Sequence, residues 1–150
     1  MSKTLFYISD DFNCNIEIGE QRYFVPCLVK DMEDNIQCEG QYISVESIRA
    51  DKMFILANAE WGNYNEIIEI IYKDNEKKMQ IMSKFYDWYG NDEQQNRIQF
   101  NVLGHMDNNI RFYGGIYSSK YNVDHDKQIV AVRLPQNSNI HIYAITFAMI

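Results

Sequence analysis

At 150 residues the chain has the length of one domain, residues 1–150, and can build a core without metal or disulfide. Hydrophobic residues at 46% and charged residues at 23%, with 7 Gly and 2 Pro, exclude disordered, collagen-like and linker classes. A formal net charge of −7 disfavours direct nucleic-acid binding, because an acidic surface repels phosphate.

The charge is uneven. Residues 1–62 carry 11 Asp/Glu against 5 Lys/Arg, whereas residues 63–150 carry 10 against 9. An acidic front half suits a basic protein partner, whose encounter it would speed. Ile occurs 20 times against 5 Leu, a bias that strand preference and an AT-rich genome would both produce. The three cysteines, Cys14, Cys27 and Cys38, are odd in number and form no C-x-x-C. That excludes a cysteine-based zinc or redox motif and fits a reducing compartment. Neither an apolar leader nor a run of 18 apolar residues is present, so no membrane span is expected and the expected address is the cytoplasm.

In chain order, residues 5–8 predict a short strand and Asp10-Asp11 a turn. Ile16 and Ile18 alternate with polar residues, and Gly19-Glu20-Gln21 leads into residues 22–29, which reads as a β-hairpin with Pro26 at an edge or bend. Residues 31–40 predict a polar loop or a second short hairpin. Residues 44–51 suggest a short helix and residues 53–57 a strand.

The middle carries the strongest pattern. Tyr64, Ile68, Ile71, Asn75, Lys78, Met82, Phe85 and Tyr89 recur at steps of three and four. Glu66, Glu69, Lys73, Glu76, Gln80, Lys84 and Asp87 fall opposite. This predicts one long amphipathic helix, capped by Asn63 or Asn65 and closed by Gly90. Asn75 and Lys78 interrupt the stripe, so a break near Asp74-Asn75 and a hairpin beginning with residues 66–72 compete with it.

The end predicts an antiparallel meander. Strands are expected around residues 98–102, 110–117, 129–134 and 140–150, with a turn at 104–109 and a polar loop at 118–127. The last strand is apolar on both faces and should be covered on each side. The fold expected is α+β, an antiparallel sheet in one or two layers packed against one long amphipathic helix. The alternative is an all-β sandwich or barrel.

No motif marks an active site. Gly114-Gly115 lies inside a strand pattern, without the Lys-Ser/Thr of a phosphate loop. His105, His125 and His141 fall in separate segments, and Asp124-His125-Asp126 reads as a solvated turn. Ser118-Ser119 near His125 is only a formal nucleophile–base pair. Asp10-Asp11 and Asp92-Glu93 fit turn chemistry. Arg111, Tyr113, Tyr117, Lys120 and Tyr121 would suit single-stranded nucleic acid, against the overall charge. No metal or cofactor is expected, and an enzyme is the less favoured class. Phe85-Tyr86-Asp87-Trp88-Tyr89 packs more aromatics than one helix face can bury.

The function expected is that of a small acidic inhibitor or immunity-type protein that blocks a basic protein such as a toxin or nuclease. Asp31, Glu33, Asp34 and Glu39 would steer the partner, and Trp61, Tyr64, Trp88 and Tyr89 would anchor it. The alternative is a protein that binds or sequesters a small ligand, a nucleotide or metabolite.

Overall fold

The computed structural model describes residues 6–8, 15–18, 21–24, 35–73, 78–89, 97–104 and 111–149. Among them there is no helix. The strands are β1 (Phe6–Ile8), β2 (Asn15–Ile18), β3 (Gln21–Phe24), β4 (Ile36–Glu39), β5 (Tyr42–Ile48), β6 (Lys52–Ala59), β7 (Tyr64–Tyr72), β8 (Lys78–Phe85), β9 (Arg97–Gly104), β10 (Arg111–Asn122), β11 (Ile129–Arg133) and β12 (Gln136–Ala148). A six-stranded sheet runs β1-β9-β10-β6-β12-β4, a four-stranded sheet runs β5-β11-β7-β8, and β2-β3 form a hairpin. Every strand pair is antiparallel.

The two larger sheets share one core. Met53, Ile55, Ala57 and Ala59 of β6, with Ile140 and Ile142 of β12, meet Ile68, Ile70 and Tyr72 of β7, Ile81 and Phe85 of β8, and Ile129 and Val132 of β11. Each large side chain removed from water there contributes about 1.5–3 kcal/mol. Leu56 and Ile116 alternate with core-facing neighbours, so they point away from this core, yet they too are buried. The six-stranded sheet is therefore covered on both faces, and β3 runs close to β12.

The α+β expectation is wrong, and its central helix is the reason. Residues 64–89 form two strands paired from Tyr64↔Phe85 to Ile71↔Lys78. The doublets Ile67-Ile68 and Ile70-Ile71 supply steps of three and four, but they also place Ile68 and Ile70 on one face at a step of two. β-Branched Ile is stiff in a helix and packs well on a pleated surface, so the period of two prevails. The expected helix at 44–51 is likewise replaced by β5, and the expected loop at 118–127 is strand as far as Asn122, where β10 ends, and loop and turn from there.

Other expectations hold in part. The β2-β3 hairpin forms, with Asn15 opposite Phe24. β6 covers the expected strand at 53–57. β9 and β10 form a hairpin, but β10 then pairs with β6, and β11 belongs to the other sheet, so the four-stranded meander does not exist. β12 lies inside its sheet, bonded to β6 and to β4.

Register shifts explain two spacings that a strict alternation forbids. Ile129 and Val132 are three apart and both fully buried, because a bulge intervenes between Ile129 and Ala131. A second shift between Ile142 and Ala144 turns Ile145 to the core side again.

The chain changes sheets between β4 and β5 at Gly40, whose φ is 76°. Its N–H donates to the Pro135 carbonyl at 2.8 Å, so this crossing is tied to the crossing from β11 to β12. A Cβ here would meet the Gln136 Cβ at 3.4 Å and would also sit in the left-handed region. Gly40→Ala is therefore expected to lower stability by about 1–2 kcal/mol in urea denaturation. No helix among the described residues is long and apolar enough to cross a membrane.

Candidate functional site

β6 returns as β7 through Glu60, Trp61, Gly62 and Asn63. Trp61 has φ 65° and Gly62 φ 137°. Left-handed backbone costs a residue with a side chain about 1–2 kcal/mol, so the surroundings must hold Trp61 there. They do so from both flanks. The Glu60 N–H donates to the Asn139 carbonyl at 2.7 Å, and Asn63 Oδ1 accepts the Asp87 N–H at 2.8 Å.

The segment after β8 forms the floor of this loop. The Ala59 N–H donates to Tyr86 O at 2.8 Å, the Trp88 N–H to Ala59 O at 2.9 Å, and the Gly115 N–H to Trp88 O at 2.8 Å. Tyr86 packs on Tyr117 with ring centroids 5.0 Å apart, and the Tyr117 hydroxyl donates to Asp87 O at 3.2 Å. The Tyr89 N–H donates to Asp87 Oδ1 at 2.8 Å, and the Trp88 and Tyr89 rings meet edge to face at 5.6 Å. On this braced floor Trp61 is 82% exposed and Tyr89 60%. Two carboxylates border it, Asp87 and Glu60, the latter 3.7 Å from His141 Nε2. His141 Nδ1 lies 2.8 Å from Asn35 Oδ1, which fixes the ring.

Of the expected anchors, the structure brings Trp61, Trp88 and Tyr89 to one end of the sandwich. Trp88 is half-buried. Tyr64 turns inward against the core, and its hydroxyl accepts from Asn139 Nδ2 at 2.9 Å, so it supports the end without facing out. Glu39 is exposed on edge strand β4, opposite Gln136. Asp31, Glu33 and Asp34 lie outside the described residues.

A second feature escapes sequence reading, because its parts come from four strands. Tyr42, Arg133, Glu69 and Gln80 stand in register across the outer face of the four-stranded sheet. The Arg133 guanidinium lies 5.7 Å from the Tyr42 ring centroid and 3.2 Å from Glu69 Oε2. Gln80 Nε2 donates to Glu69 Oε1 at 3.0 Å, and Lys78 Nζ lies 3.8 Å from Glu69 Oε2. The Gln80 amide, then Arg133 and Lys78, hold the Glu69 carboxyl below its ordinary pKa. Beside this row opens a hollow of about 370 Å³, lined among others by Glu66, Ile67, Met82, Arg133 and Pro135.

A further ion pair reads as structure. Lys127 pairs with Asp124 in the turn before β11, which lowers the Asp124 pKa and raises that of Lys127. Among the described residues no three His, Cys, Asp or Glu side chains converge on a point that could hold an ion.

Comparison with curated proteins finds no match. Residues 2–149 match the AziU2-like beta-sandwich domain, whose description agrees with two antiparallel sheets packed on one core. The chain belongs to that family of AziU2-like β-sandwich domains.

Proposed function

We propose that this protein is an acidic protein-binding module of the inhibitor or immunity type, which blocks a basic cytoplasmic partner such as a toxin or nuclease. The observation that supports this reading is Trp61, 82% exposed at φ 65°. An indole in that position gains little from the core, while its backbone is strained, so folding gives no reason to retain it. Trp and Tyr supply rigid contact area at binding hot spots, and Tyr89 stands on the same braced floor. The net charge of −7 supplies the attraction that brings a basic partner in.

Trp61→Gly separates binding from folding, since glycine relieves the strain. The melting temperature is expected to stay equal or rise. Partner retained by the wild type in a pull-down at low and moderate salt should be held at least about 30-fold more weakly, the scale of one hot-spot anchor. A melting temperature lowered by several degrees with binding intact would make Trp61 a structural residue and end the proposal.

A further inference from the structure

We infer that the hollow beside β7 is a docking notch for an extended basic segment of a partner protein. In it the segment would lie along β7 with its side chains alternating, an apolar one over Ile67 and Met82 on the outer face and the next, a Lys or Arg, at Glu66 on the opposite face. This second site goes beyond the aromatic loop and shares with that reading only the basic character of the partner.

The notch arises where β11 leaves its sheet. β11 pairs with β7 from Tyr72 to Glu69, then departs through Leu134 and Pro135 towards β12. On its other side β7 stays paired with β8 as far as Tyr64. Among the described residues, no strand therefore pairs with the β11 side of β7 between Tyr64 and Ile68. The open stretch borders the 370 Å³ hollow, walled across from it by Leu134, Pro135 and Gln136. A strand edge of this kind is the template on which extended peptides add.

The lining defines the side chains that fit. Ile67 and Met82 are direct cross-strand partners, 41% and 65% exposed, on the outer face that also carries Glu69 and Gln80. Arg133 is already matched by Glu69. Glu66 accepts from Asn137 Nδ2 at 2.9 Å, and no cation is paired with it among the described residues. Glu66 alternates with Ile67 and so faces the other side of β7, and an added strand meets both, with an apolar side chain on Ile67 and Met82 and the next, a cationic one, on Glu66.

The test is an NMR titration of the full chain carrying labelled Ile and Met methyl groups. The probes are acetyl-Lys-Val-Arg-Val-Lys-amide, its all-glutamate counterpart, and N-acetyl-arginine amide. The basic peptide should shift the Ile67 and Met82 methyls saturably, and Glu66→Gln should weaken it about tenfold. The same shifts in Trp61→Gly would show that the notch stands whether or not the aromatic loop binds a partner. The proposal falls if the methyls do not respond in the millimolar range, if the acidic peptide acts equally, or if Glu66→Gln changes nothing. Equal affinity for N-acetyl-arginine amide would replace the segment by a small cation. Shifts that appear on concentrating the protein alone, with a dimer in sedimentation, would assign the notch to a second copy.

Discussion

Replacing Ile70 with alanine removes about 2–5 kcal/mol of folding free energy, read as a lowered urea midpoint at unchanged slope. Ile70 is fully buried in the middle of β7, bonded through its strand to β11 and β8. Val132 and Met79 stand opposite it, so the sheet on both sides limits how far the site can collapse around the cavity. A domain of this size is stable by about 5–15 kcal/mol, so a large part of that margin goes with one side chain. Ile67→Ala on the same strand, with 41% of the residue exposed, should cost well under half as much. The contrast tests the strand directly. A helix over residues 64–89 would bury Ile67, Ile68 and Ile71 and spare Ile70, so equal costs at Ile67 and Ile70 would overturn the alternation on which the sandwich rests.

Cys38 should be alkylated roughly a thousandfold more slowly in the folded protein than in urea at about pH 8. It is fully buried on β4, and burial, followed by the negative charge of Glu66, pushes its thiol from 9.0 up to about 12. Thiolate is the reacting species, so the scarcity of thiolate sets the rate. Mass spectrometry of the Cys38 peptide distinguishes it from Cys14 and Cys27. Equal rates in the folded and unfolded states would contradict the burial. The sign for stability follows from the same shift. The unfolded chain loses this proton near pH 9, while the folded chain holds it to about pH 12. The thiol therefore leaves stability unchanged below pH 9 and lowers it as the pH rises towards 12, by about 1.4 kcal/mol per pH unit at most. Cys38→Ala should flatten that decline.

Both features turn on side-chain alternation, which the sequence displays unevenly. β2-β3 and β9-β10 are legible because each joins two alternating runs across a short connection, and that information is local. β8 is nearly as clean, with Met79, Ile81, Ser83 and Phe85 inward and Lys78, Gln80, Met82 and Lys84 outward. It is hidden by the Ile doublets of β7, which satisfy both periods and draw the reading to a helix. The expected break at Asp74-Asn75 lies outside the described residues, between the end of β7 at Tyr72 and the start of β8 at Lys78. Which sheet each strand joins is not local at all, since β4 and β5 are separated by two residues yet lie in different sheets. The same holds for the surface features. Trp61 and Tyr89 are legible as large aromatics flanking the central pattern, but their exposure is not, since Tyr64 of the same set turns inward. The notch is not legible, since Glu66, Met82 and Pro135 meet only through strand register and the departure of β11.

The position of β12 governs when the protein can become itself. It is the strand that bonds both β4 and β6, joining segments from the front and the middle of the chain. A nascent chain that has emerged only as far as β11 has β6 with one raw margin and β4 with no neighbour, both able to pair with the wrong chain. The six-stranded sheet thus cannot close before β12 has been made, and its assembly depends on contacts between remote segments, the slow class of folding. Until β12 has been made, both margins stand open to pairing with another chain.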